Sequence, residues 1–151
     1  VEVKRTPLHF EGDSLYNWAM MLNNEIKRVA RELEENDSFD LIHANDWVTV
    51  PGGVTLAKHL EKPFVVTVHS TENERGFSGE HAPLISELEW QGAFEADRVF
   101  VNRYETMQSV LHDLDVPDDK VMTVDPLDHG WESRILENYK EVLNRKRKVS
   151  N

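Results

Sequence analysis

The 151-residue sequence contains no cysteine, so it has neither a disulfide framework nor thiol chemistry. It has no apolar run near the roughly 20 residues needed to span a bilayer, and no signal peptide is visible. The formal net charge is −11, which argues against a general nucleic-acid or membrane-surface binder. We therefore expect a soluble, cytoplasmic protein that binds neither nucleic acid nor membranes.

Motifs typical of several enzyme classes are also absent. The sequence lacks the Gly-rich phosphate-binding fingerprint of Rossmann and P-loop proteins and the Gly-x-Ser-x-Gly elbow of hydrolases. A nucleotide-dependent dehydrogenase or a hydrolase is therefore unsupported. No spacing of carboxylates and histidines is typical of a metal site, since His81 beside Glu80 is better explained as a surface pair. We expect neither a metal nor a cofactor.

Helical and strand patterns alternate along the chain. Pro51 to Gly53 should place the firm start of the second helix near Gly53, because proline disrupts a helix interior. Strands alternating with helices predict one α/β domain over residues 1–151, a three-layer sandwich with a mainly parallel, Rossmann-like sheet of four to five strands. The expected helices are 15–33, 48–60, 84–94, 104–114 and 131–145, and the expected strands are 41–43, 64–69, 98–101 and 120–124, with 1–5 as a possible edge strand.

Two of the expected strands end in histidine. The β-branched run 64–68 leads to His69, and the run ending at His43 continues into Asn45, Asp46 and Trp47. In open α/β sheets, ligands bind beyond the carboxyl ends of the strands. We therefore expect His43, Asp46 and His69 to lie at the same edge of the sheet.

Each of these residues also has a structural interpretation. His69 could bond a sugar hydroxyl or a phosphate, or a loop carbonyl. Asp46 could orient a hydroxyl or cap the following helix. Trp47 fits core packing better than a stacking platform. Residues 51–53 could be a helix-start turn or could direct backbone N–H groups at a ligand.

Two further segments carry expectations. The polar loop 70–83 is long for a compact domain, and such loops are usually functional or disordered. The last helix carries an apolar stripe that should dock it onto the domain. The residues of this stripe are Trp131, Ile135, Leu136, Tyr139, Val142 and Leu143.

Several motifs resemble one known family. Residues 40–49 resemble the His-x-His-Asp-Trp motif of bacterial and archaeal glycogen and starch synthases, and residues 64–69 resemble their Thr-Val-His motif. Residues 76–79 and 87–97 look like the archaeal branch, and the likeness runs from about Leu15 to Val124. It implies part of the N-terminal Rossmann-like lobe of a two-lobe retaining glucosyltransferase, which moves glucose from ADP-glucose or UDP-glucose to an α-1,4-glucan.

The resemblance also implies roles for individual residues. Asp46 and His69 match the family's catalytic residues, which contact the transferred glucose. The implied partners are a nucleotide-sugar and an α-glucan. The implied substrate-binding residues are His43, Asn45, Trp47, Gly52 and Gly53.

The sequence departs from the family in ways that predict a different behaviour. The nucleotide-binding Lys-x-Gly-Gly-Leu loop and the C-terminal lobe with its phosphate clamp are absent, and Asn45 stands where the motif usually has histidine. Residues 125–130 replace the Pro-Asn-Gly segment and the interlobe linker, and 131–143 looks like the family's terminal crossover helix. We expect an incomplete lobe that is inactive alone. The alternatives are an engineered scaffold or protein-binding module with a designed partner, a homodimer formed through an exposed sheet edge, or a plain structural fragment.

Overall fold

The computed structural model describes residues 3–5 and 8–149. In this part of the chain four strands alternate with five α-helices, and a short 3₁₀ turn at Asp118–Lys120 precedes the last strand. The predicted α/β class is confirmed. The strands are β1 (Ile42–Asn45), β2 (Phe64–Val68), β3 (Arg98–Val101) and β4 (Val121–Thr123), and the helices are α1 (Leu15–Glu34), α2 (Asp46–Leu60), α3 (Ala82–Glu95), α4 (Tyr104–His112) and α5 (Trp131–Val149).

The sheet is parallel throughout, and its strands follow one another in chain order, β1-β2-β3-β4. Val66 and Val99 point to one face and share a core with residues of α2, α3 and α4. Val65 and Phe100 point to the other face, which α5 covers. The near-continuous burial of β2 follows from this arrangement, because both faces of the sheet are packed.

The possible edge strand at residues 1–5 lies partly outside the described residues. Residues 3–5 are described and form no strand. Strand β1 is therefore an edge of the sheet as far as the described chain shows, and its Ile42 pairs only toward β2. Pairing of two copies across this edge stays a prediction.

Helix α2 begins earlier than proline chemistry predicts. It starts at Asp46, so Pro51 lies in its interior, and the expected start near Gly53 is wrong. Beside the proline, the buried side chain of Asn23 of α1 bonds this helix: its Oδ1 accepts from Gly52 N–H at 2.7 Å, and its Nδ2 donates to Val48 O at 2.7 Å. These two bonds satisfy Gly52 N–H and Val48 O from a neighbouring helix and tie α1 to α2 at the proline.

The last helix docks onto the sheet as predicted, but through four of the six residues of its apolar stripe, since Leu143 is half-buried outside the cluster on the sheet and Leu136 faces solvent. Leu136 is 55% exposed, so its place in the stripe is wrong. It lies about 100° around the helix from Ile135, which packs on the sheet, and therefore turns toward solvent. The stripe residues that pack against Val65, Phe100 and Val124 are Trp131, Ile135, Tyr139 and Val142.

Replacing Gly92 by alanine is expected to destabilise the contact between α2 and α3. An added Cβ would lie 2.6 Å from Cγ2 of Val50, a residue that is 1% exposed and cannot move aside freely. Overpacking of this kind costs about 1–3 kcal/mol, which exceeds the roughly 0.5–1 kcal/mol that alanine gains over glycine in a helix. Urea denaturation measures the effect. Gly79→Ala is the control, because nothing lies within 4 Å of its added Cβ, and a Gly92→Ala protein as stable as wild type would contradict this packing.

Candidate functional site at the strand ends

Asp46 and His69 meet at the carboxyl edge of the sheet. Strands β1 and β2 are adjacent and parallel, and their chains leave the sheet side by side. Asp46 Oδ1 accepts from the backbone N–H of His69 at 2.9 Å, so the predicted proximity of the two residues is confirmed. The bond uses the backbone of His69, whose imidazole lies exposed at the edge.

Asp46 has an unusual backbone conformation. Its φ is 56°, in the left-handed region, where aspartate is among the few side chains that are tolerated. Asn45, not Asp46, occupies the N-cap position, so the capping interpretation of Asp46 is wrong. The turn instead aims the carboxylate of the first helical residue at the neighbouring strand end. Strained residues of this kind cluster at functional sites.

His43 lies deeper, two residues before the end of β1. Its Nε2 is 2.7 Å from Thr67 Oγ1, and its Nδ1 bonds the Tyr139 hydroxyl of α5. Burial, together with the charge of nearby His69, lowers the pKa of His43 from 6.5 to about 4. His43 is therefore a neutral, doubly bonded ring beneath the edge, and its two ring nitrogens already have protein partners.

The other predicted binding residues are not gathered at the edge. Asn45 is exposed there, but Trp47 is buried and stacks on Tyr16 at 6.3 Å between ring centroids. Gly52 and Gly53 lie inside α2, and both are buried. The N–H of Gly52 is bonded to Asn23, while an added Cβ on Gly53 would meet the Phe64 ring at 2.9 Å. These two glycines serve close packing of α2 against its neighbours.

The loop after β2 is held by a buried ion-pair network. Arg75 donates to Glu72 Oε2 at 2.9 Å and to Glu89 Oε1 at 2.6 Å. It also donates to the carbonyl oxygen of Ser70 at 2.9 Å. Glu89 is only 3% exposed, and burial raises its pKa despite the arginine. The loop is therefore an ordered segment built around a charged core.

A second set of bonds fixes the backbone at His69. Thr106 Oγ1 of α4 lies 3.3 Å from His69 O, and its single hydrogen is shared between this carbonyl and the nearer Glu74. Glu74 Oε1 accepts from Thr106 Oγ1 at 3.0 Å and from Arg103 at 3.1 Å. The main chain of His69 is thus tied to α4 and, through Asp46, to α2, while its side chain stays at the surface.

Sequence reasoning did not single out Glu89 or Thr106. A signal for Glu89 was available, because it lies four residues after Ile85 and four before Ala93, on a face of α3 that packs inward. A carboxylate on such a face needs a buried partner. Thr106 carries no comparable signal, because its role depends on where α4 meets the end of β2.

A cavity of about 340 Å³ lies behind the strand ends, under the start of α5. His69 and Asn45 belong to its lining, together with His43 and Trp131.

Among the described residues, no cluster of three or more His, Cys, Asp or Glu side chains could hold a metal ion. The ring of His81 instead stacks on Tyr16 at 5.0 Å. Over the same described residues, none of the helices is long and apolar enough to cross a membrane.

The fold and site together define a Rossmann-like α/β domain with polar side chains at the carboxyl ends of its strands. Residues 1–126 match the sequence model of the family described as Glycosyltransferase Family 4, and the chain belongs to that family. It is also similar to an uncharacterized glycosyltransferase of Methanocaldococcus jannaschii, with 28% identity over 134 residues, which are 87% of this chain and 34% of that protein. The chain thus spans about a third of the length of this relative.

Proposed function

We propose that this chain is the sugar-contacting part of a two-lobe retaining glucosyltransferase, which transfers glucose from ADP-glucose or UDP-glucose to an α-1,4-glucan. The observation that carries the proposal is the Asp46–His69 pair. Two adjacent strand ends present a carboxylate and an exposed imidazole, and the backbone N–H of His69 occupies only one oxygen of the Asp46 carboxylate. Membership of the glycosyltransferase family and the glycogen synthase-like motifs around both residues support this reading.

The geometry assigns each residue a task in sugar binding. The Asp46 Oδ2 atom has no hydrogen-bond partner within the described part of the chain, so it can accept from a glucose hydroxyl. The His69 imidazole would bond the same sugar near its C6 hydroxyl. In retaining transfer the acceptor hydroxyl attacks on the face that the phosphate leaves, and stabilising that departing phosphate is usually a large part of catalysis.

The arginines near this edge are already committed to carboxylates. Arg75 is paired with Glu72 and Glu89, and Arg103 is paired with Glu74. Neither is left as a free countercharge for a diphosphate. We therefore propose that a second lobe supplies the phosphate clamp and that this chain acts only in combination with it.

The chain alone is expected to transfer no measurable glucose. Removing even one well-placed electrostatic donor lowers rates by about 10²–10³, and the arginines near this edge are already paired with carboxylates. The measurement is incorporation of labelled glucose from ADP-glucose or UDP-glucose into glycogen. Turnover by the chain alone at ordinary enzyme rates, roughly 1–10³ s⁻¹, would contradict the proposal.

A fusion of the chain to the C-terminal lobe of an archaeal glycogen synthase tests the residue assignments. Transfer by this fusion should fall by about 10²-fold or more in Asp46→Asn and His69→Ala, since each removes a group that contacts the sugar. Thr55→Val is the matched control, because Thr55 is exposed on α2 and bonds only the carbonyl of Pro51. If the fusion is active and Asp46→Asn keeps full activity, Asp46 does not contact the transferred sugar as proposed.

An interaction module is the second candidate function, and an exposed aromatic pair favours it. Trp90 and Phe94 on α3 are 47% and 63% exposed, and their rings stack with centroids 5.0 Å apart. Sedimentation of the wild-type chain beside Phe94→Ser tests this reading. If the wild-type chain is a dimer and Phe94→Ser is a monomer, self-association through α3 is supported. If both proteins are monomers, Trp90 and Phe94 do not mediate self-association.

A further inference from the structure

A groove between α1 and α2 is lined by positive charge, although the protein as a whole is acidic. The groove has a volume of about 410 Å³. The sequence carries 28 acidic and 17 basic residues, yet among the described residues that line the groove there is no aspartate or glutamate. Its polar lining residues are Asn24, Lys27, Arg28 and Arg31 of α1 and Thr55 and His59 of α2. A wall of this composition attracts anions.

Helical spacing gathers these side chains in one place. Lys27 and Arg31 are four residues apart on α1, so they lie on the same face of that helix. Thr55 and His59 have the same spacing on α2. The bonds of Asn23 to α2 hold the two helices together one turn before Lys27. The groove is therefore the seam between α1 and α2, and its walls are two packed helices.

Two of the positive charges are not compensated by the protein. Within the described part of the chain, the side chains of Lys27 and Arg31 have no hydrogen-bond or ion-pair partner. Arg28 differs, because it is paired with Glu25 at 3.0 Å and with Glu32 at 2.8 Å. Like charges four residues apart destabilise a helix. An anion bound between Lys27 and Arg31 would replace this repulsion by two attractions.

The groove is separate from the strand ends. Helix α2 begins at Asp46, and Thr55 follows nine residues later, which is about 13 Å along the helix at 1.5 Å per residue. The described residues that line the groove do not include any that line the cavity at the strand ends. A ligand in the groove would therefore leave Asp46 and His69 accessible.

The donors of the groove match a phosphate group better than a carboxylate. The Lys27 ammonium, the Arg31 guanidinium and the Asn24 amide all carry N–H donors, and the two cations supply two positive charges. A phosphate monoester carries close to two negative charges and three acceptor oxygens, whereas a carboxylate carries one charge and two oxygens. Charge-assisted bonds from arginine to phosphate are also among the strong hydrogen bonds in proteins.

We propose that the groove between α1 and α2 binds the dianionic phosphate group of a small soluble molecule, either free phosphate or a phosphate monoester. Its volume of about 410 Å³ equals about fourteen water molecules at 30 Å³ each, so an organic portion also fits, against the buried side chain of Leu56. The net charge of −11 opposes approach to an anionic membrane, which favours a soluble ligand over a lipid headgroup. The site requires no glucosyl transfer.

Sodium phosphate is the first probe, and the backbone amide signals of the ¹⁵N-labelled chain are the readout. At about pH 8 the phosphate is mostly dianionic. Titration should shift the amide signals of Lys27, Arg31 and His59 saturably and leave that of Asp46 in place. Sodium chloride at equal ionic strength is the control for screening of charges, and it should not produce the same saturable shifts.

Glycerol 3-phosphate is the second probe, and it distinguishes the two sources of the phosphate group. Tighter binding of glycerol 3-phosphate than of inorganic phosphate would assign the groove to an organic monoester. Tighter binding of inorganic phosphate would assign it to the free anion. Either order supports a phosphate site, because both probes present the same dianionic group.

Two pairs of variants separate the groove from the net charge. Lys27→Gln and Arg31→Gln should each weaken phosphate binding about tenfold or more, since each removes a hydrogen bond to a charged group. Lys140→Gln and Arg145→Gln are the matched controls. They remove the same charge from exposed positions of α5, outside the groove lining, and should bind phosphate as the wild-type chain does.

Urea denaturation distinguishes a binding role of Lys27 from a structural one. Without phosphate, Lys27→Gln should unfold at the wild-type urea concentration or above it, because the substitution removes the repulsion from Arg31. Phosphate should raise the unfolding midpoint of the wild-type chain by mass action, and it should raise that of Lys27→Gln less.

Three results would overturn the proposal. The first is that phosphate and chloride shift the same signals equally at equal ionic strength. The second is that the two α5 variants weaken phosphate binding as much as the two groove variants, which would leave only an effect of net charge. The third is that Lys27→Gln is less stable than the wild-type chain without phosphate, which would assign this charge to folding.

Discussion

A chain that ends at Gly130, and so lacks α5, is expected to be largely unfolded. Helix α5 buries Val65 and Phe100 on one face of the sheet, and its Trp131, Ile135, Tyr139 and Val142 are removed from water in return. Full burial of such a side chain stabilises by about 1.5–3 kcal/mol. Losing four of them, some partly exposed, removes on the order of 5 kcal/mol or more, which is comparable with the whole stability of many domains.

Circular dichroism during urea denaturation checks this result against a matched truncation. A chain that ends at Lys146 removes only the tip of α5 and keeps every stripe residue that packs on the sheet. It should unfold at nearly the wild-type urea concentration. If the chain that ends at Gly130 showed the same midpoint, α5 would not be part of the cooperative core.

Lowering the pH from 6.5 to 4 is expected to cost the protein about 3 kcal/mol of unfolding free energy through His43 alone. The pKa of His43 is lowered to about 4 in the folded state from an ordinary value of 6.5. Between these values the unfolded state holds the extra proton, so stability rises with pH through this window. Above pH 6.5 the stabilisation that His43 contributes is almost fully present, and below pH 4 it is lost.

The comparison with His43→Gln isolates this contribution. Glutamine does not titrate, so the variant should lose the part of the slope between pH 4 and 6.5 that His43 contributes, as measured by urea denaturation at steps of pH. Burial of Glu89 raises its pKa above 4.5, which makes stability fall as pH rises past that value. This opposite contribution is common to both proteins and cancels in the difference, and identical pH profiles would contradict a buried, neutral His43.

The strand ends could be predicted from the sequence because the signals for them are local. The β-branched run before His69 and the short run before Asp46 each predict a buried strand. The rule that consecutive parallel strands usually neighbour one another then brings their carboxyl ends together. The Asp46–His69 bond is a consequence of these local signals and of the short turn into α2.

The features that could not be predicted depend on residues distant in sequence. Proline chemistry gave the wrong start for α2, and the bonds that Asn23 makes from another helix to Gly52 and Val48 beside that proline could not be predicted from local sequence. The ion-pair network that holds the loop after β2 was equally hard to predict, because one of the two carboxylates paired with Arg75 is Glu89, 14 residues later on α3. The secondary-structure propensities of neighbouring residues carry no information about a hydrogen-bond partner whose position is set only by the folded structure.

The order of the strands has a consequence for how the chain acquires its structure. Each strand pairs with the next one along the chain, so the pairing of β1 to β4 needs no contact more distant than one crossover. Helix α5 is different, because its Tyr139 reaches His43 across 96 positions of sequence. Closing that long loop costs more chain entropy than any neighbouring pair of strands. During synthesis from the N-terminus the four strands are therefore complete before α5 is available to cover them, and we expect the stable sheet to form only once α5 has emerged.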